Sequence, residues 1–291
     1  MIELEQVTKV YDNGTKALDC CSFSIGDNEC LAILGHNGSG KTTLLRLMLG
    51  LLDPTSGRIV RSGGVMRSET AAVMDGDGCF GEMTVRDNMK FFASLYGYSY
   101  SKVKNVFLQT LEFFNLTDKI NTRFHALSTG QKRIISLSRA VLTEPKFLII
   151  DELITGLDPE NQYKLIDFLR DYQRRKQCTV LFSSHDLLKV QKLVDRAVFL
   201  SAGKVITSMN MAEMGSYRKI TLSGSESDLD QFASSQLTGQ HFFKSAKNQL
   251  SVLVNQDKAS HLGAVVSAYP VVFSTFEDPA TLEDFFLAYT R

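Results

Sequence analysis

At 291 residues, with 44% hydrophobic and 10% aromatic side chains, the chain can fill one large core and one small one, which excludes disorder as the default state. Lys and Arg (32) balance Asp and Glu (32), leaving none of the charge surplus that nucleic acid or anionic lipid attracts, so no nucleic-acid partner is expected. No apolar run reaches the length of a membrane span and Met1-Ile2-Glu3-Leu4-Glu5 does not read as a signal peptide, so any membrane role is expected to pass through a partner.

Residues 2–10 alternate (Ile2, Leu4, Val7) and predict an outer strand, followed by Tyr11 and the turn-like Asp12-Asn13-Gly14. Ala17 to Ile25 predicts a second strand. Leu31 to Leu34 predicts a buried third, which runs into Gly35-His36-Asn37-Gly38-Ser39-Gly40-Lys41-Thr42-Thr43. That stretch reads G-x-x-x-x-G-K-T, and Leu44, Leu45, Leu47, Met48 and Leu49 continue it with helical spacing. Strand, glycine loop and helix form the setting of a phosphate-binding loop. The glycines let backbone N–H groups turn inward around phosphates, and the helix N-terminus adds its positive end. Lys41 would reach the β- and γ-phosphates, and Thr42 would offer its hydroxyl to Mg²⁺. The five cysteines (Cys20, Cys21, Cys30, Cys79, Cys178) lack metal-ligand spacing and are expected as small buried thiols in a reducing cytosol, with Cys20 and Cys21 on opposite strand faces.

Leu51 to Gly57 carries turn signals, and a strand pair is expected up to about Met74. From Glu82 the pattern turns helical. Thr84-Val85-Arg86-Asp87 has the form of a capping box, Met89, Phe92 and Tyr96 continue that helix, and Val103, Val106, Phe107, Thr110, Leu111 and Phe114 mark a second. Core packing accounts for this aromatic stripe. Residues 82–142 are thus expected as a mostly helical insertion in an α/β domain, with Ser128-Thr129-Gly130-Gln131 opening its last helix at capping-box spacing. Phe147-Leu148-Ile149-Ile150, ended by Asp151-Glu152, reads as a strand buried on both faces of a parallel sheet. A helix over about 160–176, a buried strand closing on Ser183-Ser184-His185, and a hairpin over 197–206 follow. After Gly215 the pattern restarts as strand 218–223, helix 226–235, strands 240–245 and 249–255, helix 257–266, strand 271–275 and helix 279–288. This βαββαβ order predicts a small α+β, ferredoxin-like domain over 216–291 behind a first domain over 1–215. His241 and His261 read as surface or packing residues.

A phosphate loop alone leaves kinases, GTPases and helicases open. Here it is followed by Leu127-Ser128-Thr129-Gly130-Gln131, then by Ile150-Asp151-Glu152-Leu153-Ile154-Thr155-Gly156-Leu157-Asp158-Pro159, then by His185. In that order the set closely resembles the ATP-binding-cassette (ABC) ATPases, a P-loop NTPase class, over roughly residues 1–215, and LSTGQ is similar to that family's LSGGQ signature. The resemblance implies roles. Asp151 would hold Mg²⁺ through its water shell, Glu152 would take a proton from the attacking water, and His185 would bond the γ-phosphate. Tyr11 matches the aromatic that stacks on adenine. Ser128, Gly130 and Gln131 would address the ATP held by a second copy of the subunit, head to tail, with Asp158 linking the two sites.

ABC ATPases drive transporters, or act on soluble partners such as DNA or ribosomes. The DNA-working relatives carry long coiled-coil insertions and the ribosome-working ones usually two cassettes. One cassette, no heptads and no basic surplus favour a transporter subunit. Asp278-Pro279-Ala280-Thr281-Leu282-Glu283-Asp284-Phe285-Phe286-Leu287-Ala288-Tyr289-Thr290 resembles the ending of ABC-2-type exporter cassettes, including those for drugs and antimicrobial peptides. That implies a separate membrane-spanning permease subunit, docked beside the helical insertion at the cytoplasmic face of the membrane. One position departs from the family. Where a glutamine is usual after the strand ending near Met74, this chain has Asp75, followed by Gly76-Asp77-Gly78. A carboxylate is a good hard-oxygen ligand, so Asp75 joins Thr42 and Asp151 as a Mg²⁺ candidate. The rival is a solvent-facing Asp75 in a loop that serves only as a hinge.

Overall fold

A computed structural model describes residues 1–61, 69–74, 78–154, 156–185, 190–237, 240–257, 262, 265–266 and 274–290. The first strands are β1 (Ile2–Val10), β2 (Lys16–Ile25) and β3 (Cys30–Leu34), and β3 leads into helix α1 (Lys41–Met48). β4 (Ser56–Arg61) joins β1 and β2 in an antiparallel sheet of order β2-β1-β4. The expected strand pair before Met74 therefore divides, because β5 (Thr70–Val73) enters a different sheet.

That second sheet also contains β6 (Phe147–Asp151), β7 (Thr179–Ser184), β8 (Arg196–Ser201) and β9 (Lys204–Asn210), in the order β5-β6-β7-β3-β8-β9. Every pairing is parallel except that of β8 with the edge strand β9. β3, β6 and β7 are buried at every position, as a parallel sheet covered on both faces requires. Alternate residues serve two cores, because successive strand side chains point to opposite faces. Leu31, Ile33, Phe147 and Ile149 pack with Leu44, Leu45 and the β1–β2 side chains Leu4 and Leu18. Ala32, Leu34, Leu148 and Ile150 pack instead with the helical insertion.

The insertion comprises α2 (Val85–Leu95), α3 (Tyr100–Phe113) and α4 (Thr129–Ala140). Thr84 caps α2 by accepting the Asp87 N–H at 3.1 Å. Met89, Phe92, Val103, Phe107 and Leu111 all lie in the core, so the aromatic stripe is packing. α5 (Pro159–Lys176) then leads from the β6 end back to β7. Of the cysteines, Cys21, Cys30 and Cys178 are buried, but Cys20 is exposed, at φ 49 in the irregular β1–β2 register.

After the short α6 (Met211–Met214) come β10 (Tyr217–Ser223), α7 (Glu226–Gln236), β11 (His241–Ala246), β12 (Gln249–Asn255), β13 (Ser274–Pro279) and α8 (Leu282–Thr290). The sheet order β11-β12-β10-β13, antiparallel throughout, is that of a ferredoxin-like split βαβ unit. Helix 257–266, with His261, lies largely outside the described residues. β13 runs later than the expected 271–275 because pairing with β10 continues to Pro279 opposite Arg218. Pro is tolerated there on an edge strand. One face of this sheet packs on Leu229 and Phe232 of α7. Leu282, Phe285 and Phe286 of α8 instead join the core cluster of the large sheet.

Candidate active site

The loop between β3 and α1 is shaped by contacts that only glycine permits. A Cβ on Gly35 would lie 2.3 Å from the Leu200 carbonyl oxygen, and Gly40, at φ 106, would meet the Ala17 carbonyl at 2.5 Å. Gly40 also stands at the start of α1, so the free N–H groups of that helix end open onto the loop. Lys41 folds back over the loop: its Nζ donates to the carbonyls of Gly35 (2.8 Å) and His36 (3.1 Å). Burial pulls the Lys41 ammonium below its ordinary pKa, while the Glu152 and Asp151 carboxylates oppose that shift.

The ends of the parallel strands bring the acidic residues to this loop. Asp151, 3% exposed at the end of β6, accepts from Thr42 Oγ1 at 3.0 Å and from the Ser183 hydroxyl. Glu152 sits next, at φ 46, a left-handed conformation costly for a side chain other than glycine's. Three bonds hold it there: its N–H to the Ser183 carbonyl (3.3 Å) and hydroxyl (3.2 Å), and its carbonyl to Arg133 Nη1 (2.6 Å). Its carboxylate then lies 3.7 Å from Lys41 Nζ and 3.3 Å from His185 Nδ1. Asn37, Gly38, Gly40, Lys41, Thr42, Thr43, Asp151 and Glu152 line one cleft of about 410 Å³, with Thr15, Lys16 and Ala17 as its far wall. Tyr11 follows β1, half-buried, with its hydroxyl 3.1 Å from Thr43 Oγ1.

The signature residues stand apart. Ser128 caps α4 in a full capping box, accepting the Gln131 N–H at 3.3 Å while Gln131 Oε1 accepts the Ser128 N–H at 3.1 Å. Ser128, Gly130, Gln131 and Asp158 line a second cleft of about 300 Å³ with Asn161 and Lys164. Asp158 caps α5, and the Asn161 N–H it accepts at 3.0 Å holds its carboxyl below the ordinary carboxylate pKa.

The donor set fits a nucleotide triphosphate with Mg²⁺. Helix N–H groups and an ammonium face the cleft, and the buried Ser39 hydroxyl has no hydrogen-bond partner among the described residues. One carboxylate and one hydroxyl suit an ion that takes its remaining oxygens from phosphate and water. Among the described residues no three His, Cys, Asp or Glu side chains cluster as an all-protein metal cage. Asp75 lies outside the described residues. Sequence reading missed Ser183 and Arg133. The parallel register that pairs Asp151 with Ser183 could have signalled the first, whereas nothing in the spacing pointed to the second.

A profile of the family described as ABC transporter matches residues 18–155. Over 212 residues the chain is 35% identical to Nod factor export ATP-binding protein I of Rhizobium johnstonii, spanning 70% of this chain and 68% of that protein. It is 33% identical over 216 residues to the uncharacterized ABC transporter ATP-binding protein YxlF of Bacillus subtilis, spanning 74% and 72%. It is also 32% identical over 220 residues to methionine import ATP-binding protein MetN of Geobacillus kaustophilus, spanning 71% and 64%. Among solved structures, a dimeric bacterial ABC transporter cassette, MJ0796, has the same fold at a TM-score of 0.67 and 24% identity, over 72% of this chain and 99% of that one. The chain belongs to the ATP-binding subunits of ABC transporters. Like that family it is an ATPase that uses ATP with Mg²⁺. Among the described residues no helix is long and apolar enough to cross a membrane.

Proposed function

We propose that two copies of this subunit close head to tail over two ATP molecules and power an exporter whose membrane-spanning permease is a separate chain. One observation carries the sandwich: the phosphate-loop cleft and the Ser128 cleft share no lining residue among those described, so the signature residues do not complete the phosphate-loop site of their own copy. The N-terminus of α4 directs partial positive charge into the second cleft, suited to the γ-phosphate presented by the other copy. Asp158, beside it, connects the two sites.

Within one half-site the work divides by position. The loop N–H groups and Lys41 bind the phosphates, and Tyr11 stacks on the adenine. Thr42 and Asp151, with Asp75 as a further candidate, would hold Mg²⁺, which when bound would supply positive charge to the phosphates. Glu152 takes the proton of the attacking water, a contribution typically of about 10²–10⁴-fold. His185, 3.3 Å from the Glu152 carboxylate, orients that base and bonds the γ-phosphate. Export rather than import is favoured by the Nod factor export relatives and by the Asp278–Thr290 ending, although an import subunit also resembles this chain. The cargo class we favour is a drug or an antimicrobial or toxin peptide, carried through a permease at the cytoplasmic face of the membrane.

Mixing two defective variants tests the sandwich. Lys41→Ala destroys the loop of one copy and Ser128→Arg the signature of the other, but their mixed dimer retains one intact composite site. ATPase activity that appears only on mixing supports the head-to-tail reading. A mixture as inactive as its parts overturns it. Reconstitution with the membrane subunit, followed by a search for compounds that stimulate ATP hydrolysis, then identifies the cargo.

A further inference from the structure

Helix α8 carries two neighbouring aromatic residues, Phe285 and Phe286, which a helix points about 100° apart. Both join the core of the large sheet, but their rings meet different partners. Phe285 lies edge-on to Tyr217 of β10, with ring centroids 5.1 Å apart. Phe286 lies edge-on to the His36 ring in the phosphate loop, at 4.6 Å, and stacks on Phe199 of β8 at 5.9 Å. Both are buried, at 0% and 4% exposure.

The helix that carries them is firmly mounted. Thr281 and Asp284 cap it reciprocally, the Thr281 N–H donating to Asp284 Oδ2 at 2.8 Å and the Asp284 N–H to Thr281 Oγ1 at 3.3 Å. Lys219 of β10 pairs with Asp284 at 3.3 Å, and the Leu282 N–H donates to Gln191 Oε1 at 3.4 Å. The start of α8 is thus tied to the C-terminal sheet through Lys219 and to the first domain through Gln191, while Phe286 rests on the loop. His36 matters there through its backbone. Its carbonyl accepts from Lys41 Nζ and from the Ser39 N–H, each at 3.1 Å, so whatever fixes His36 fixes the oxygen against which Lys41 is set.

We propose that Phe286 is a positioning residue for ATP binding, and that through the His36 ring the C-terminal domain is energetically coupled to the nucleotide site. The inference rests on the loop being the ATP cradle. Coupling of this kind is reciprocal: docking of α8 raises nucleotide affinity, and bound nucleotide tightens α8 by the same factor, commonly about 5–150-fold. If Phe286 were only a core side chain, its loss would loosen the domain without a specific effect on nucleotide.

The test measures equilibrium binding of the non-hydrolysable analogue AMP-PNP with Mg²⁺ to the full chain and to Phe286→Ala, Phe286→Leu, His36→Ala and the double variant His36→Ala/Phe286→Ala. Each single change is expected to weaken binding by about fivefold or more. Residues acting through one contact are not additive, so the double variant should bind no worse than the weaker single one. Phe286→Leu keeps apolar volume and should stay folded while losing affinity. Amide hydrogen exchange supplies the reciprocal readout: AMP-PNP should slow exchange across Leu282–Thr290 in the wild type and not in His36→Ala. Multiplicative losses in the double variant, full affinity in Phe286→Leu, or α8 exchange unmoved by tightly bound AMP-PNP would each overturn the coupling and leave the nucleotide site standing. A wild-type chain that fails to bind AMP-PNP would instead overturn the reading of the loop.

Discussion

Arg133 Nη1, on α4, donates to the backbone carbonyl of Glu152 at 2.6 Å. The helix that carries the signature therefore holds the turn that aims the proposed base of its own chain. Glu152 needs that hold, because its φ of 46 is unfavourable for a residue with a side chain. Removing the guanidinium should let the turn relax and the carboxylate drift.

Arg133→Ala is accordingly expected to lower kcat by about 10–10²-fold, the range a small misplacement of a reacting group costs. ATP affinity should change little, since Lys41 and the loop are untouched. A variant that loses affinity but keeps kcat would show that Arg133 supports the loop and not the base.

Glu152→Gln keeps size and hydrogen bonding but removes the base. Hydrolysis should fall at least about tenfold with ATP affinity near normal. The trapped nucleotide should also make an ATP-dependent dimer visible by gel filtration. Hydrolysis persisting near the wild-type rate would sink the general-base assignment.

Thiol accessibility reports the fold around the parallel sheet. Cys20 is exposed and Cys79 half-buried, whereas burial raises the pKa of Cys21 and Cys30 and pushes Cys178 up to about 12. Thiolate is the reactive form, so at mildly alkaline pH the three buried thiols stay neutral as well as covered. A disulfide reagent should consume Cys20 first and Cys79 more slowly, with the other three reacting only after denaturation. Fast reaction of Cys178 in the native chain would mean that β7 is not covered as described.

Most of the site was legible because its chemistry sits where short-range patterns change. Glycines at the end of β3, acids at the end of β6 and a histidine after β7 each mark the carboxyl end of a buried strand, and such ends gather ligands in a parallel sheet. Ser128 was legible as a cap because its partner Gln131 lies on the same turn. The contacts that were not legible join residues far apart in sequence. Phe286 reaches His36, Arg133 reaches Glu152, and β4 and β5 part into two sheets although they are neighbours in the chain. Apolar spacing tells a strand or helix which face to bury but not what it meets, so the helix expected over 279–288 had no packing partner assigned from sequence.

Asp75 is the departure from the family that most directly invites measurement. β5 ends at Val73, which pairs in parallel register with Ile150, the residue before Asp151. The chain thus leaves β5 beside the strand end that carries the proposed metal carboxylate. An aspartate there would supply a hard oxygen in place of the usual glutamine carbonyl. It would also add a negative charge near Asp151, Glu152 and the triphosphate, so nucleotide binding should depend more steeply on Mg²⁺. If Asp75 is a ligand, Asp75→Ala should shift the Mg²⁺ dependence of ATPase activity to higher concentration, Asp75→Gln should recover part of that loss, and Asp77→Ala should leave it near wild type. If the segment is only a hinge, Asp75→Ala and Asp77→Ala should behave alike. Titrating ATPase activity against Mg²⁺ for the wild type and the three variants separates the two readings, and overlapping curves for Asp75→Ala and wild type would rule out a metal role for Asp75.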